Sequence, residues 1–244
     1  MLVSQAVGLV LAAVIAIIRG EPLPGPADIG WASVAGIAGG VGIVSLYHGL
    51  ATSRISVVAP LAGVLAATIP VVFGVALQGL PGPARMVGIG TAFVAVVLVS
   101  RAPDPGGNRP SGVRFGLLAG VGFGLFNLFA SRFSPGIVFG PLVIVRAFEP
   151  VLVIGIVLAT RGAWRVPRSV LPLAALVGAG DMAGNAFFVL AAQAGRLDVA
   201  AVLSSLYPVT TIVLAAILLR ERVTRSHGAG ILAAGVSIAL IAAG

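Results

Sequence analysis

Nine apolar runs alternate with short polar breaks along the chain, at 3–18, 30–51, 55–78, 84–100, 112–130, 136–160, 169–194, 197–219 and 226–243. A hydrocarbon layer about 30 Å thick is crossed by about 20 helical residues, so most of these runs are long enough to span it, the first and fourth being the shortest. Lipid offers no partners to free backbone groups, and the strict alternation of an outer-membrane barrel is missing, so the runs predict helices. The longest polar stretch, RAPDPGGNRPSGVR from Arg101 to Arg114, has the Pro and Gly content of a linker. The predicted organisation is a first unit at 1–100 with four spans, a linker at 101–111, and a second unit at 112–244 with five.

The two units repeat one another. Arg54 stands 142 residues before Arg196, Arg85 stands 140 before Arg225, and Gly88 and Gly90 stand 140 before Gly228 and Gly230. A spacing this constant predicts a duplicated helical module, the construction that recurs in secondary transporters. Shifting the span at 112–130 back by about 140 residues places its twin ahead of Met1, so the first repeat lacks its first helix. Either an upstream span belongs to the unit, or the protein has nine spans and goes without one.

Composition supports the membrane reading. Hydrophobic residues make up 59% and charged residues 9%, and the mean hydropathy is +1.14, whereas about a quarter of a soluble domain is charged. The net charge of +8 comes from fifteen arginines and no lysine. Fourteen of them punctuate the apolar runs, which predicts topology signals and no nucleic-acid partner. A chain without lysine has no Gly-x-x-x-x-Gly-Lys phosphate loop, and one without cysteine has no thiolate chemistry. His48 and His227 are too far apart and too few for a metal site, so no metal, cofactor or catalytic residue is expected. The first run has no basic leader and is read as a retained span.

Alternate connections carry unequal charge. Arg19, Arg85, Arg132 and Arg196 fall on one side, whereas Arg54, Arg101, Arg109, Arg114, Arg161, Arg165, Arg168, Arg220, Arg222 and Arg225 fall on the other. The positive-inside rule makes the ten-arginine side cytoplasmic and Gly244 external. Small residues four apart predict close helix contacts at Gly36 and Gly40, at Gly116, Gly120 and Gly124, and at Gly180 and Gly184. These small-residue faces also permit a homodimer. Pro60, Pro70, Pro150 and Pro208 predict bends within or near spans.

The segment from Asn185 to the C-terminus resembles the end of an EamA-type domain of the drug/metabolite transporter superfamily. The matching features are an aromatic-plus-Ala helix end at Phe187–Ala191, a small-residue turn at Gly195–Asp198, and a Leu-x-x-Leu-x-Pro-Val pattern at Leu203–Val209. A hinge at Arg220–Thr224 and a final span at Gly228–Gly235 complete them, and a fainter likeness runs over Ser4–Val99. Arg220 replaces the usual hinge glycine, and the first-half hinge QGLPGP at Gln78–Pro83 has no acidic residue, which weakens any role for Glu221. The resemblance implies ten helices in two inverted five-helix repeats, a central cavity and movement of small metabolites by alternating access. It also implies cytoplasmic termini, opposite to the arginine count for Gly244, so orientation stays open. The expected fold is an all-α membrane protein with about nine transmembrane helices in two inverted repeats, multi-pass in the cell (inner) membrane.

Charges inside spans single out the candidate site, since each costs about 2.5–3.5 kcal/mol at mid-depth and turns toward a cavity or partner. Arg146 and Glu149 are three apart and share a helical face, as do Asp181 and Asn185, four apart. Arg146, held by Glu149, is a candidate for an anionic or polar group of a solute; the competing reading is an ion pair that only fixes packing. An offset of 141 sets Gln5 opposite Arg146 and Tyr47 opposite Phe188 across a pseudo-two-fold axis. Asp181 has no basic residue within a turn on its own helix and is expected to carry a proton, or else to bond to backbone. Asn127 is a further polar contact, and Tyr207, Ser204 and Ser205 are weaker candidates. The expected partners are the lipid bilayer and a small-molecule solute. Two other classes compete: an intramembrane enzyme, which lacks a nucleophile with its base, and a non-transporting scaffold or subunit needing another helix or chain.

Overall fold

The computed structural model describes residues 2–99, 110–160, 167–206 and 224–243, with the single positions 209, 213 and 217. Most of the predicted linker, Tyr207, Pro208, and Arg220 to Val223 of the hinge including Glu221 lie outside the described residues, as do Arg161 and Arg165. The described residues form an all-α protein of nine α-helices. They are α1 (Leu2–Ile18), α2 (Pro26–Thr52), α3 (Ile55–Gln78), α4 (Pro83–Val99), α5 (Val113–Ala130), α6 (Phe139–Thr160), α7 (Leu171–Ala194), α8 (Leu197–Ser205) and α9 (Arg225–Ala243). A 3-10 turn, Arg168–Val170, leads into α7. Among the described residues, five stretches are long and apolar enough to cross a membrane: Pro26–Thr52, Val57–Gln78, Val113–Ala130, Arg168–Ala194 and Arg225–Ala243.

Local chemistry sets the helix limits where hydropathy does not. α2 begins at Pro26, four residues before the apolar run, because proline at the first position and Asp28 in the first turn suit a helix start. α6 begins at Phe139, three residues later than its run, where the Glu21 carboxylate receives the backbone N–H groups of Val138, Phe139 and Gly140. α3 stops at Gly79, whose φ of +78° is a conformation that glycine adopts freely. Its internal Pro60 and Pro70 are accommodated within one continuous helix.

The helices pair in the pattern expected of a duplicated module. α1 packs on α7 and its counterpart α6 packs on α2, while α1 with α6, α3 with α8, and α4 with α9 meet as counterpart pairs. With five spans from each helix to its counterpart, strict alternation across a bilayer turns counterparts in opposite directions. Gly36 of α2 lies against Val145 and Phe148 of α6, and Gly178 of α7, 142 residues on, lies against the Ser4 backbone of α1.

α5 fills the groove between α2 and α3. Gly116, Gly120 and Gly124 abut Leu61, Leu65 and Ile69, and a Cβ at Gly122 would stand 2.7 Å from the Ala38 carbonyl oxygen and the Gly42 Cα. Without a hydrophobic drive between helices in lipid, such close backbone approach is what holds them together. α4 and α9 are joined similarly, with Gly88 against Ile241 and the Ser237 hydroxyl donating to the Gly88 carbonyl at 2.8 Å. Gly180 and Gly184 differ from the expectation of close packing: nothing stands within 4 Å of a Cβ placed on either.

Candidate functional site

Arg146 is the largest fully buried side chain among the described residues and lies where α1, α6 and α7 meet. Its Nη1 donates to Gln5 Oε1 of α1, to Glu149 Oε2 of its own helix at 3.1 Å, and to Asp181 Oδ2 of α7 at 2.6 Å. Two hydrogens on that nitrogen therefore serve three acceptors. The remaining guanidinium nitrogens, Nε and Nη2, are buried and have no hydrogen-bond partner among the described residues. A guanidinium carries five N–H donors, and each buried donor left unserved costs about 1–3 kcal/mol.

Glycines make room for this group. A Cβ at Gly8 of α1 would stand 3.4 Å from Arg146 Nε, and one at Gly39 of α2 would stand 3.1 Å from Glu149 Oε1. Gly39 is a residue that sequence reasoning passed over, since the regular spacing drew attention to Gly36 and Gly40 instead. The three charges are unequally enclosed. Arg146 and Glu149 are sealed in, whereas the Asp181 side chain is 42% exposed. The site is thus an occluded ion cluster with one carboxylate open.

The expectation of a carboxylate without a basic neighbour does not hold for Asp181. Its cation comes from α6, 35 residues away, and no count along one helix reveals it. Asn185 follows Asp181 by one turn, half-buried, and does not enter the cluster's hydrogen bonds. Asn127 of α5 is half-buried beside Phe126, whose ring stands against Gly39. Tyr47 is half-exposed on α2, eight residues past Gly39, or about 12 Å along the helix axis. Ser205 is buried and donates to the Val202 carbonyl, as an intrahelical hydroxyl does, whereas Ser204 is exposed.

A second polar group closes the four-arginine side. Glu21 Oε2 holds the start of α6, Asp28 Oδ1 accepts the Ser134 N–H at 2.8 Å, and Gln193 bonds the backbone of Ser134, Gly136 and Ile137. Arg196 pairs with Asp198 at 2.9 Å and reaches the Gly79 carbonyl at 2.6 Å, tying α8 to the end of α3. Hydrogen bonding to the Asp198 carboxylate raises the Arg196 pKa above its ordinary value. Sequence reasoning missed Glu21, Asp28 and Gln193, whose only signal was their place beside helix ends. Two clefts lie toward the ends of the bundle. One of about 140 Å³ is bordered by Gly74, Gln78 and Leu197, and one of about 370 Å³ by His48, Ser53 and Arg114. Neither reaches Arg146.

Comparison with known proteins follows the same lines. No curated protein matches the chain. A crystal structure of another protein has the same fold, with a TM-score of 0.78 at 17% identity, covering 99% of this chain and 86% of that one. Residues 110–243 match the model of the EamA-like transporter family. That stretch is more than half of the chain, and its apolar helices are those of a membrane protein: the chain belongs to the EamA-like transporter family.

Proposed function

We propose that the chain moves a small solute across the cell membrane by alternating access, with the Arg146 cluster as its polar binding point. The observation that supports this reading is the state of the Arg146 guanidinium: buried between the copies, held on one edge by Gln5, Glu149 and Asp181, and with Nε and Nη2 unbonded. An oxygen-bearing solute arriving at those nitrogens supplies acceptors that the protein does not. Its binding relieves a donor deficit that is expensive in a low-dielectric interior.

Proton coupling enters through Asp181. This carboxylate is the open member of the cluster, and its bond to Arg146 ties α7 to α6. A proton on Asp181 removes the anion from that bond and lets the two helices separate, so proton uptake and rearrangement of the copies become one event.

The test is a solute screen in proteoliposomes under an imposed pH gradient, covering amino acids, nucleotide precursors, sugars and lipophilic amines. Wild type is expected to accumulate at least one class and Arg146→Ala to lose it. Equal flux by the two proteins, or no gradient-dependent flux for any class, overturns the reading.

A further inference from the structure

Where α2 ends and α5 begins, the cleft of about 370 Å³ opens on the ten-arginine side, bordered among others by His48, Ser53, Ser111, Gly112 and Arg114. Both helices are stretches able to span a membrane, so their ends meet at the depth of the lipid headgroups. α5 starts on Gly112, whose φ of +74° and missing side chain let it close on the end of α2: a Cβ there would stand 2.5 Å from the Ser53 Cβ. No side chain caps this start. The Phe115 and Gly116 N–H groups both donate to the Gly112 carbonyl, which leaves those of Val113 and Arg114 outside the helix's own bonding.

An independent observation lies in the same cleft. Ser53 is fully buried and lines it, and its hydroxyl has no hydrogen-bond partner among the described residues. The backbone acceptors nearby are engaged: the His48 carbonyl receives the Thr52 hydroxyl at 2.7 Å, the Gly49 carbonyl the Ser53 N–H at 2.9 Å, and the Pro110 carbonyl the Arg54 N–H at 3.1 Å. The cleft is therefore rich in donors, and it sets them beside positive charge. The Arg114 guanidinium lies 4.6 Å over the Phe115 ring, and the His48 ring stands 4.8 Å from that same ring, so one aromatic holds both at the rim. Among the described residues that border the cleft there is no carboxylate.

We propose that this cleft binds a phosphate group, carried by an anionic lipid headgroup or by a soluble phosphate ester. The phosphate oxygens accept from the Ser53 hydroxyl, the open N–H groups at the start of α5 and the Arg114 guanidinium. No residue of the Arg146 cluster takes part, so the proposal survives failure of the transport reading.

The full protein in a neutral detergent is titrated separately with dioleoylphosphatidylglycerol and with glycerol 1-phosphate, and bound molecules are counted by native mass spectrometry. Wild type is expected to retain one molecule per chain of at least one of the two. Retention of the lipid alone assigns the headgroup, and binding of glycerol 1-phosphate assigns a soluble ester; either result upholds the phosphate site. Ser53→Ala deletes a hydroxyl that bonds nothing in the protein, so thermal unfolding should not fall, while binding weakens about three- to tenfold. Arg114→Gln is expected to weaken binding by more than about tenfold, and Arg132→Gln, on the four-arginine side, to leave it unchanged. Three results overturn the proposal: binding of neither compound by wild type, binding unchanged in both Ser53→Ala and Arg114→Gln, or a loss in Arg132→Gln equal to that in Arg114→Gln.

Discussion

The Glu21 carboxylate at the four-arginine side and the Arg146 guanidinium in the middle of the bundle are both enclosed, and both bridge parts of the chain far apart in sequence. Glu21 Oε2 receives three backbone N–H groups at the start of α6, and Arg19 lies 3.5 Å from its other oxygen. That arrangement neutralises a helix N-terminus and fixes the loop before it. Arg146 is supported on one edge only and keeps unbonded donors on the other. Glu21 Oε1 also makes no hydrogen bond among the described residues, but Arg19 balances its charge and its Oε2 is committed to backbone amides, whereas every partner of Arg146 is a side chain that can turn away. The difference separates a fastener from a binding point.

Removing Arg146 is the harshest way to break this contrast. Arg146→Met leaves the sealed Glu149 carboxylate without its cation, and a loss of about 3–5 kcal/mol is expected in detergent unfolding, together with loss of solute flux. The double variant Arg146→Met with Glu149→Gln is expected to regain most of that stability and none of the flux. Glu21→Ala comes next, with an expected cost of about 1–3 kcal/mol from three orphaned amides and unchanged flux per folded molecule; Glu21→Gln, which keeps an acceptor, recovers part of it. Arg196→Gln removes the cation that serves the fully buried Asp198 carboxylate while keeping one donor, and a cost of about 1–3 kcal/mol with unchanged flux is expected. Since the Asp198 hydrogen bond raises the Arg196 pKa, its contribution is fully present below the unfolded-state pKa and is lost only as pH rises through the still higher folded value. Unfolding of wild type and Arg196→Gln should therefore differ by a constant amount across neutral pH. Asp181→Asn preserves shape and one acceptor, so stability should move by less than about 1 kcal/mol while the pH dependence of accumulation disappears; retained pH dependence removes Asp181 from the coupling step.

The sequence reveals what repeats and conceals what crosses. Apolar run lengths locate the nine helices, and the constant spacing of Arg54 with Arg196 reveals the two copies. The same arithmetic sets Gln5 at the place matching Arg146, and the two side chains touch. The tie from Arg146 to Asp181 follows no periodicity, because it joins neighbouring helices whose rotation about their own axes is set by packing. The starts of α2 and α6 were equally hidden from hydropathy, since Pro26 and Glu21 act through backbone geometry and a distant carboxylate. Tyr47 shows the opposite limit: matching Phe188 by offset placed it near the axis, and the helix rise carries it away.

Gln5 and Arg146 occupy equivalent places in the two copies and meet each other, so the axis of the duplication runs between them. In a perfectly symmetric pair of separate chains, any residue at that spot confronts its own image, and two arginines there would repel. Joining the halves into one polypeptide releases the constraint, because each half then mutates independently. An amide facing a guanidinium is a pairing that two identical chains cannot place on their axis and a divergent tandem can, and it gives the interior a chemical polarity.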